Sequence, residues 1–253
     1  MTDSIDIHRY ENGLVLLAER MDWVESAAFS LLVPAGCSRD PGHLLGLSNI
    51  TCEMVQRGCG ARDSRQFVND LENLGVDHSA SVSNAHTTFS GAMPADKIEP
   101  ALAIHADLVR RPHLPEEQFE DAQLACLQEI RALEDDLAQK AMLELRRRRY
   151  GDPFGRHAQG TQASIERVTP EDVRRHVAAY YQPDGTILSI AGKIDFPRLR
   201  DVVGQLFADQ VARTLPELTP VPPDGDSTHL AHDSNQTHIA LAYESVPYRH
   251  PDY

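Results

Sequence analysis

Residues 46–58 read GLSNITCEMVQRG, and this short stretch indicates both a fold element and a site. Its apolar residues recur at helical spacing and predict a helix over Leu44–Gln56. Asn49, Cys52 and Glu53 stand at positions i, i+3 and i+4, so they share one face of that helix. Helices that bind zinc often present two histidines one turn apart, with a glutamate nearby as general base. The stretch therefore indicates either a metal site with unusual ligands or the position of a lost one.

The composition is that of an acidic globular protein. The 253 residues are 41% hydrophobic and 25% charged, which is enough for one large domain or two modest ones with hydrophobic cores. A formal net charge of −14 repels phosphate backbones, so no nucleic-acid partner is expected. The four cysteines include no CxxC pair, and their spacings suit neither a zinc ribbon nor a disulfide framework. This cysteine usage favours a reducing compartment.

The N-terminal residues show no targeting pattern. Residues 1–13 read MTDSIDIHRYENG, without a basic region followed by an apolar core. The sequence also lacks a run of about eighteen apolar residues, the length that a membrane-spanning helix needs. The expectation is a cytoplasmic protein that does not associate with a membrane.

Strand and helix patterns alternate irregularly along the chain. Asn12-Gly13 is a strong turn signal and predicts a hairpin of strands Ile7–Tyr10 and Leu14–Glu19. The remaining patterns predict strands over Ala27–Pro34, Val76–Val82, His86–Met93 and Thr186–Ala191, and helices over Ser64–Leu74, Asp96–Arg110, Thr169–Tyr181 and Phe196–Phe207. This order predicts the α+β class, with a mainly antiparallel sheet flanked by helices.

A long helix is predicted to open at Leu114-Pro115-Glu116-Glu117. Proline near the first helical position and acidic residues in the first turn suit a helix start. The helical spacing continues through Leu124, Leu127, Ile130, Leu133 and Leu137. The basic run Arg146–Arg149 lies near the end, where it is either a solvated helix terminus or the footprint of an acidic partner.

Several further segments, in the same order along the chain, resemble the pitrilysin/insulinase (M16) family of zinc peptidases. Members read approximately G-L-A-H-F-L-E-H-M-L-F-K-G-T around their metal motif, and here Gly46, Leu47, Met54 and Gly58 match. The other similar segments are LENLG at 71–75, RPHLPEE at 111–117, LQEI at 127–130, EDD at 134–136, YGDPFG at 150–155, GT at 160–161, YQP at 181–183 and IAG at 190–192. The resemblance covers roughly residues 5–250.

The resemblance implies that the zinc site is degenerate. Members carry an inverted motif, His-x-x-Glu-His, whose positions fall here on Asn49, Cys52 and Glu53. Their third ligand is a glutamate some 76 to 77 residues further on, and Glu129 stands 76 residues after Glu53. Ala122 occupies a position where active members often keep a supporting glutamate. The expectation is a vestigial site with no catalytic residue, no metal ligand and no bound cofactor.

The chemistry of these side chains agrees with that expectation. A neutral asparagine amide is a poor zinc ligand, and a cysteine cannot replace a carboxylate as general base. Glu53 and Glu129 would repel each other without a cation between them, or one of them would take up a proton. The alternative is a remodelled site in which Cys52, Glu53 and Glu129 bind zinc in an active metallopeptidase.

The expected function is therefore that of a non-catalytic homologue. In the resembled family, inactive chains pair with an active chain and help to enclose a peptide, so a dimer with such a partner subunit or second module is implied. An unfolded peptide is a further implied partner, because extended peptides add to a sheet edge near the active helix in these enzymes. The peptide-binding residues are not assigned. A purely structural adaptor subunit is the remaining alternative.

The resemblance also implies a domain division. Residues 1–212 correspond to the first module of the family, and residues 233–253 to the start of a second one, with a strand over Thr237–Tyr243. The segment 213–232 between them is predicted to be a linker, because four prolines fall between Leu215 and Asp226. The arginine and tyrosine that the second module supplies in active members lie beyond these residues.

Overall fold

The computed structural model describes residues 5–222, 227–247 and 249–252. Residues 223–226 of the predicted linker, and 248 and 253 of the predicted second module, lie outside that description. The strands are β1 Ile5–Arg9, β2 Val15–Arg20, β3 Ser26–Val33, β4 Gly58–Cys59, β5 Arg62–Asp63, β6 Asp77–Val82, β7 Thr87–Pro94 and β8 Ile187–Gly192. The helices are α1 Leu47–Val55, α2 Ser64–Asn73, α3 Ile98–Arg110, α4 Phe119–Asp135, α5 Leu137–Tyr150, α6 Gln162–Ile165, α7 Pro170–Tyr180 and α8 Phe196–Leu206.

The principal sheet has six strands in the order β1-β2-β8-β3-β7-β6. Strand β2 pairs with β8 in parallel, and every other neighbouring pair in this sheet is antiparallel. The predicted α+β class with a mainly antiparallel sheet is confirmed. Strand β8 is far along the chain from β2 and β3, yet it lies between them in the sheet.

One face of this sheet is buried, because side chains alternate between the two faces of a strand. Leu16, Leu188, Leu31 and Phe89 are paired in one row across four strands, and each is at most 2% exposed. The neighbouring row on the other face consists of serines on β8, β3, β7 and β6, all partly or fully exposed. The apolar core therefore lies on one side of the sheet, where α3 and α8 pack against it.

Helix α1 lies at the centre of the helical layer and joins two hydrophobic clusters. Cys52 and Val55 belong to the cluster under the sheet. Leu47, Ile50 and Met54 belong to a second cluster that α1 forms with α4 and α7. A helix buried on most of its circumference has little freedom to shift, so α1 holds its side chains in fixed positions.

Helix α1 begins at Leu47, three residues later than predicted. The N-cap Gly46 has a positive φ of 91°, a conformation that strongly favours glycine. A Cβ at Gly46 would lie 2.6 Å from Ile165 Cδ1 and 2.7 Å from the Gln159 carbonyl oxygen. The chain therefore turns sharply at Gly46 before the helix starts.

The predicted long helix is wrong in one respect, because it is two helices. Asp136 interrupts it with an extended conformation, φ −95° and ψ 91°. Its carboxylate accepts a hydrogen bond of 3.0 Å from the Gln139 amide and so caps α5. The leucine spacing continues through the break from Leu133 to Leu137, which explains why the sequence did not reveal it.

The predicted strand over Thr237–Tyr243 is also wrong, since those residues form no strand. The side chains of Ile239, Leu241 and Tyr243 are 82%, 70% and 84% exposed. A strand requires a neighbour for its backbone hydrogen bonds, and this segment pairs with none in the part of the chain that the structure describes. No helix within that part is long and apolar enough to span a bilayer.

The packing against the sheet predicts a contrast between two adjacent residues of α2. Phe67 is 1% exposed and Val68 is 39% exposed. We expect Phe67→Ala to lower the free energy of unfolding by about 3–5 kcal/mol, because it leaves a cavity in the core. Val68→Ala should change it by no more than about 0.5 kcal/mol. Urea unfolding followed by circular dichroism measures both, and equal effects would contradict the described packing.

Candidate functional site

The start of α1 is fixed by a buried carboxylate six residues upstream. Asp40 Oδ2 accepts a hydrogen bond of 2.8 Å from the Gly46 amide, and Oδ1 accepts one of 2.9 Å from the Ser48 amide. The Ser48 hydroxyl donates a further bond of 2.5 Å to Oδ1. Asp40 is only 4% exposed, and burial raises its pKa to about 6 against the lowering effect of these bonds. The amides that a helix start leaves without partners are thereby satisfied.

A serine, a histidine and an aspartate meet at this point, although they do not form a nucleophilic site. The Ser48 hydroxyl lies 3.4 Å from Nε2 of His176 on α7. Ser48 is 0% exposed, and its hydroxyl donates to Asp40. Burial lowers the pKa of His176 to about 4, so its ring is neutral at pH 7. The cluster anchors α1 to α7, and no substrate can reach the serine.

The positions singled out in the sequence do come together between α1 and α4. Asn49 Nδ2 donates a hydrogen bond of 2.9 Å to Glu129 Oε2. The same nitrogen lies 3.5 Å from the sulfur of Cys126, one helical turn before Glu129. An ionised carboxylate only accepts hydrogen bonds, so the amide must turn its nitrogen towards it. Asn49 therefore faces Glu129 with a donor rather than with a metal-binding lone pair.

Glu53 lies one helical turn after Asn49 on the same face of α1. Burial raises the pKa of its carboxyl, the negative charge of Glu129 raises it further, and Arg57 lowers it. Glu53 is partly buried and Glu129 is exposed, and the repulsion between the two carboxylates favours uptake of a proton by Glu53.

Cys52 is buried where α1 meets the cluster under the sheet. It is 4% exposed, belongs to the cluster under the sheet, and its sulfur is 4.0 Å from Gln56 Nε2. Burial raises the pKa of its thiol far above the usual range, and the charge of Glu53 raises it further. The protonated thiol serves as a small apolar residue and cannot act as a base.

These side chains do not fit a zinc ion in the way that the inverted motif does. Within residues 5–222, 227–247 and 249–252, no three His, Cys, Asp or Glu side chains are grouped so that they could hold a metal ion. Ala122, on the face of α4 towards α1, is 0% exposed and brings no carboxylate. Asn49 and Glu129 thus meet between the two helices, while Asn49, Cys52 and Glu53 stand where the inverted motif has histidine, glutamate and histidine.

Strand β6 borders this region and forms one edge of the sheet. It pairs with β7 on one side and has no neighbour on the other within the part of the chain that the structure describes. Asp77, Ser79 and Ser81 are exposed along it. An edge strand offers free N–H and C=O groups to an extended peptide.

The raised pKa of Glu53 predicts that Glu53→Gln changes the stability of the protein in a pH-dependent way. Because the folded-state pKa of Glu53 is raised, the wild-type protein loses stability as pH rises from the ordinary value of 4.5 through the folded-state pKa. The variant should therefore melt at a higher temperature than the wild type at pH 7, with the difference vanishing below about pH 4. Differential scanning calorimetry at both pH values measures this.

The matched control is Glu11→Gln, which changes an exposed glutamate in the turn between β1 and β2. It should leave the melting temperature nearly unchanged at both pH values. A lower melting temperature for Glu53→Gln at pH 7 would contradict the description, because it would mean that a cation or another donor stabilises the Glu53 carboxylate.

Two family models together match most of this chain. The family model described as Insulinase (Peptidase family M16) matches residues 15–161, and that described as Peptidase M16 inactive domain matches residues 167–253. The boundary between the two matches divides one folded unit, since β8 belongs to the same sheet as β1–β3.

Relatives with curated names match almost the whole chain. A protein named an uncharacterized zinc protease, from Rickettsia felis, is 23% identical over 249 residues, which are 98% of this chain and 60% of the relative. The probable mitochondrial-processing peptidase subunit beta of Schizosaccharomyces pombe is 25% identical over 252 residues, 96% of this chain and 55% of the relative. The chain thus spans little more than half the length of these proteins.

Solved structures show the same fold. The peptidase M16 inactive domain from Pseudomonas fluorescens superposes with a TM-score of 0.77 at 21% identity, covering 87% of this chain and 54% of that one. A protease from Helicobacter pylori superposes with a TM-score of 0.78 at 15% identity over the same shares. At these identities the likeness concerns the arrangement of helices and strands rather than the chemistry of the site.

Proposed function

This chain belongs to the insulinase family of peptidases, family M16, and from that premise we propose that it is a non-catalytic member. In this proposal it is one subunit or chamber half, which pairs with a second module or with a partner that carries the intact His-x-x-Glu-His motif. The relatives named zinc proteases make zinc plausible for the family, and the proposal is that this chain has lost it. The name of the Schizosaccharomyces pombe relative, a peptidase subunit, supports an assembly of this kind.

The observation that carries the proposal is the 2.9 Å hydrogen bond from Asn49 Nδ2 to Glu129 Oε2. It gives Glu129, at the position of the third ligand, a partner that is not a metal. The amide nitrogen occupies the side of Asn49 that faces Glu129. Cys52, at the position of the general base, is buried and protonated and cannot activate a water molecule for peptide hydrolysis.

We further propose that an extended peptide binds along the free edge of β6. Binding of this kind uses backbone hydrogen bonds and requires no metal, so it can outlast the loss of the zinc ligands. The exposed β6 edge, next to the helix that carries Asn49 and Glu53, supports this placement. The peptide would be held there and cleaved, if at all, by groups of the partner.

Restoring two ligands tests the geometry directly. The variant Asn49→His/Glu53→His places two imidazoles on α1 opposite Glu129, which reconstitutes the ligand set of the family. We expect it to bind about one equivalent of zinc, measured by elemental analysis after dialysis, while the parent binds none. Neither protein should cleave unfolded peptides, because Cys52 is not a general base.

The control for that variant adds Glu129→Ala, which should abolish zinc binding if α4 supplies the third ligand. Two results would contradict the proposal. Stoichiometric zinc in the parent with chelator-sensitive cleavage would show an active, remodelled site. A double variant that binds no zinc would show that α1 and α4 are not arranged as in the family.

Peptide binding at β6 is tested with a short unfolded peptide and two alternately N-methylated versions. Successive N–H groups of a strand point in opposite directions, so only one of the two methylated sets faces β6. That version should bind at least about tenfold more weakly, and the other should bind as the parent peptide does. Amide shifts in the NMR spectrum should map to Asp77–Val82. Equal binding by both versions, or shifts confined to β1, would contradict the placement.

A further inference from the structure

Residues 213–222 were predicted as part of a linker, and their contacts show that they are held against the preceding module. We propose that residues 211–222 form a fixed strap, latched to the module by Gln182, that sets the point at which the following chain leaves the fold. The strap contains no helix and no named strand, so its placement depends on contacts with the module. This proposal is independent of the function proposed above.

Gln182 holds the start of the strap with both ends of its amide. Its Nε2 donates a hydrogen bond of 2.8 Å to the Arg213 carbonyl oxygen, and its Oε1 accepts one of 2.9 Å from the Arg213 amide. This pattern is the one that a neighbouring strand would offer to a residue of a sheet. Gln182 is 3% exposed, so these bonds satisfy a buried amide that would otherwise lack partners.

Three further contacts hold Arg213 and the residues that follow it. The Arg213 guanidinium donates a bond of 2.7 Å to the Ala178 carbonyl oxygen at the end of α7. Arg39 donates to the carbonyl oxygen of Pro216 from the other side. A Cβ at Gly185 would lie 3.5 Å from Leu215 Cδ1, so the leucine side chain packs close to this glycine. The strap is thus held by backbone-directed hydrogen bonds rather than by burial of its own side chains.

The far end of the strap is paired with the loop after α5. The Val221 amide donates a bond of 2.7 Å to the Asp152 carbonyl oxygen, and the Asp152 amide donates one of 3.2 Å to the Val221 carbonyl oxygen. Asp152 is itself held, since both its carboxylate oxygens accept bonds from Arg156. Arg156 also donates to the carbonyl oxygen of Asp40, the residue that anchors α1. The strap therefore ends on a part of the fold that is already fixed.

The proline content favours a strap over a loose tether. Pro216, Pro220 and Pro222 restrict the unattached segment to extended conformations, so little entropy is lost when it is held. Beyond the strap, Leu230 lines a groove of about 300 Å³ together with Leu133 and Leu143 of the α4–α5 pair. Leu230 thus contacts the α4–α5 pair on the far side of the strap.

The experiment is residue-resolved amide hydrogen exchange by NMR on the full chain. In the parent protein, the Arg213 and Val221 amides should exchange at least about tenfold more slowly than unprotected amides. In Gln182→Leu, which removes both latch bonds, that protection should fall at Arg213 and also at Val221, eight residues away. The control Gln205→Leu, an exposed position on α8, should change neither amide.

A second variant leaves the buried residue Gln182 unchanged. Val221→Pro removes only the amide that bonds to Asp152, and Val221 already precedes a proline and so already favours extended conformations. We expect faster exchange at Arg213 in this variant too. Parent amides that exchange at unprotected rates would overturn the proposal. So would loss of protection confined to the substituted end, because the two ends would then not act as one strap.

Discussion

The hydrogen bond between Asn49 and Glu129 is the interaction on which the properties of this site depend. It joins α1 to α4 and gives Glu129 a neutral donor. Under the function proposed above, this contact replaces a metal ion that would link the two helices in an active relative. The Glu53 carboxyl beside it has a raised pKa.

The residues that fix the position of α1 do not include the side chains that face Glu129. Gly46 makes a turn that a side chain would obstruct, Asp40 satisfies the first amides of α1, and His176 approaches from α7. None of these groups would touch a metal or a substrate, yet together they fix the direction of the helix. The position of α1 is therefore fixed by packing and buried hydrogen bonds that do not involve the side chains facing Glu129.

Local signals in the sequence predicted most of the fold. The Asn-Gly turn placed the β1–β2 hairpin, and Thr169 caps α7 as its position before Pro170 indicates. The spacing of 76 residues correctly brought Glu129 opposite α1. What the sequence did not reveal depends on contacts between distant residues. Asp40 caps a helix from six residues upstream, the break at Asp136 leaves the leucine spacing intact, and the strap is held by a glutamine 31 residues before Arg213.

The central claim is that α1 and α4 meet through an amide and a carboxylate rather than through a metal ion. Crystals of the chain grown with a zinc salt, with diffraction recorded at the zinc absorption edge, test this most directly. The account predicts no anomalous peak between the two helices and a direct contact of Asn49 Nδ2 with Glu129. A peak at bonding distance, roughly 2.0–2.3 Å, from Glu53, Glu129 and the sulfur of Cys52 would contradict it.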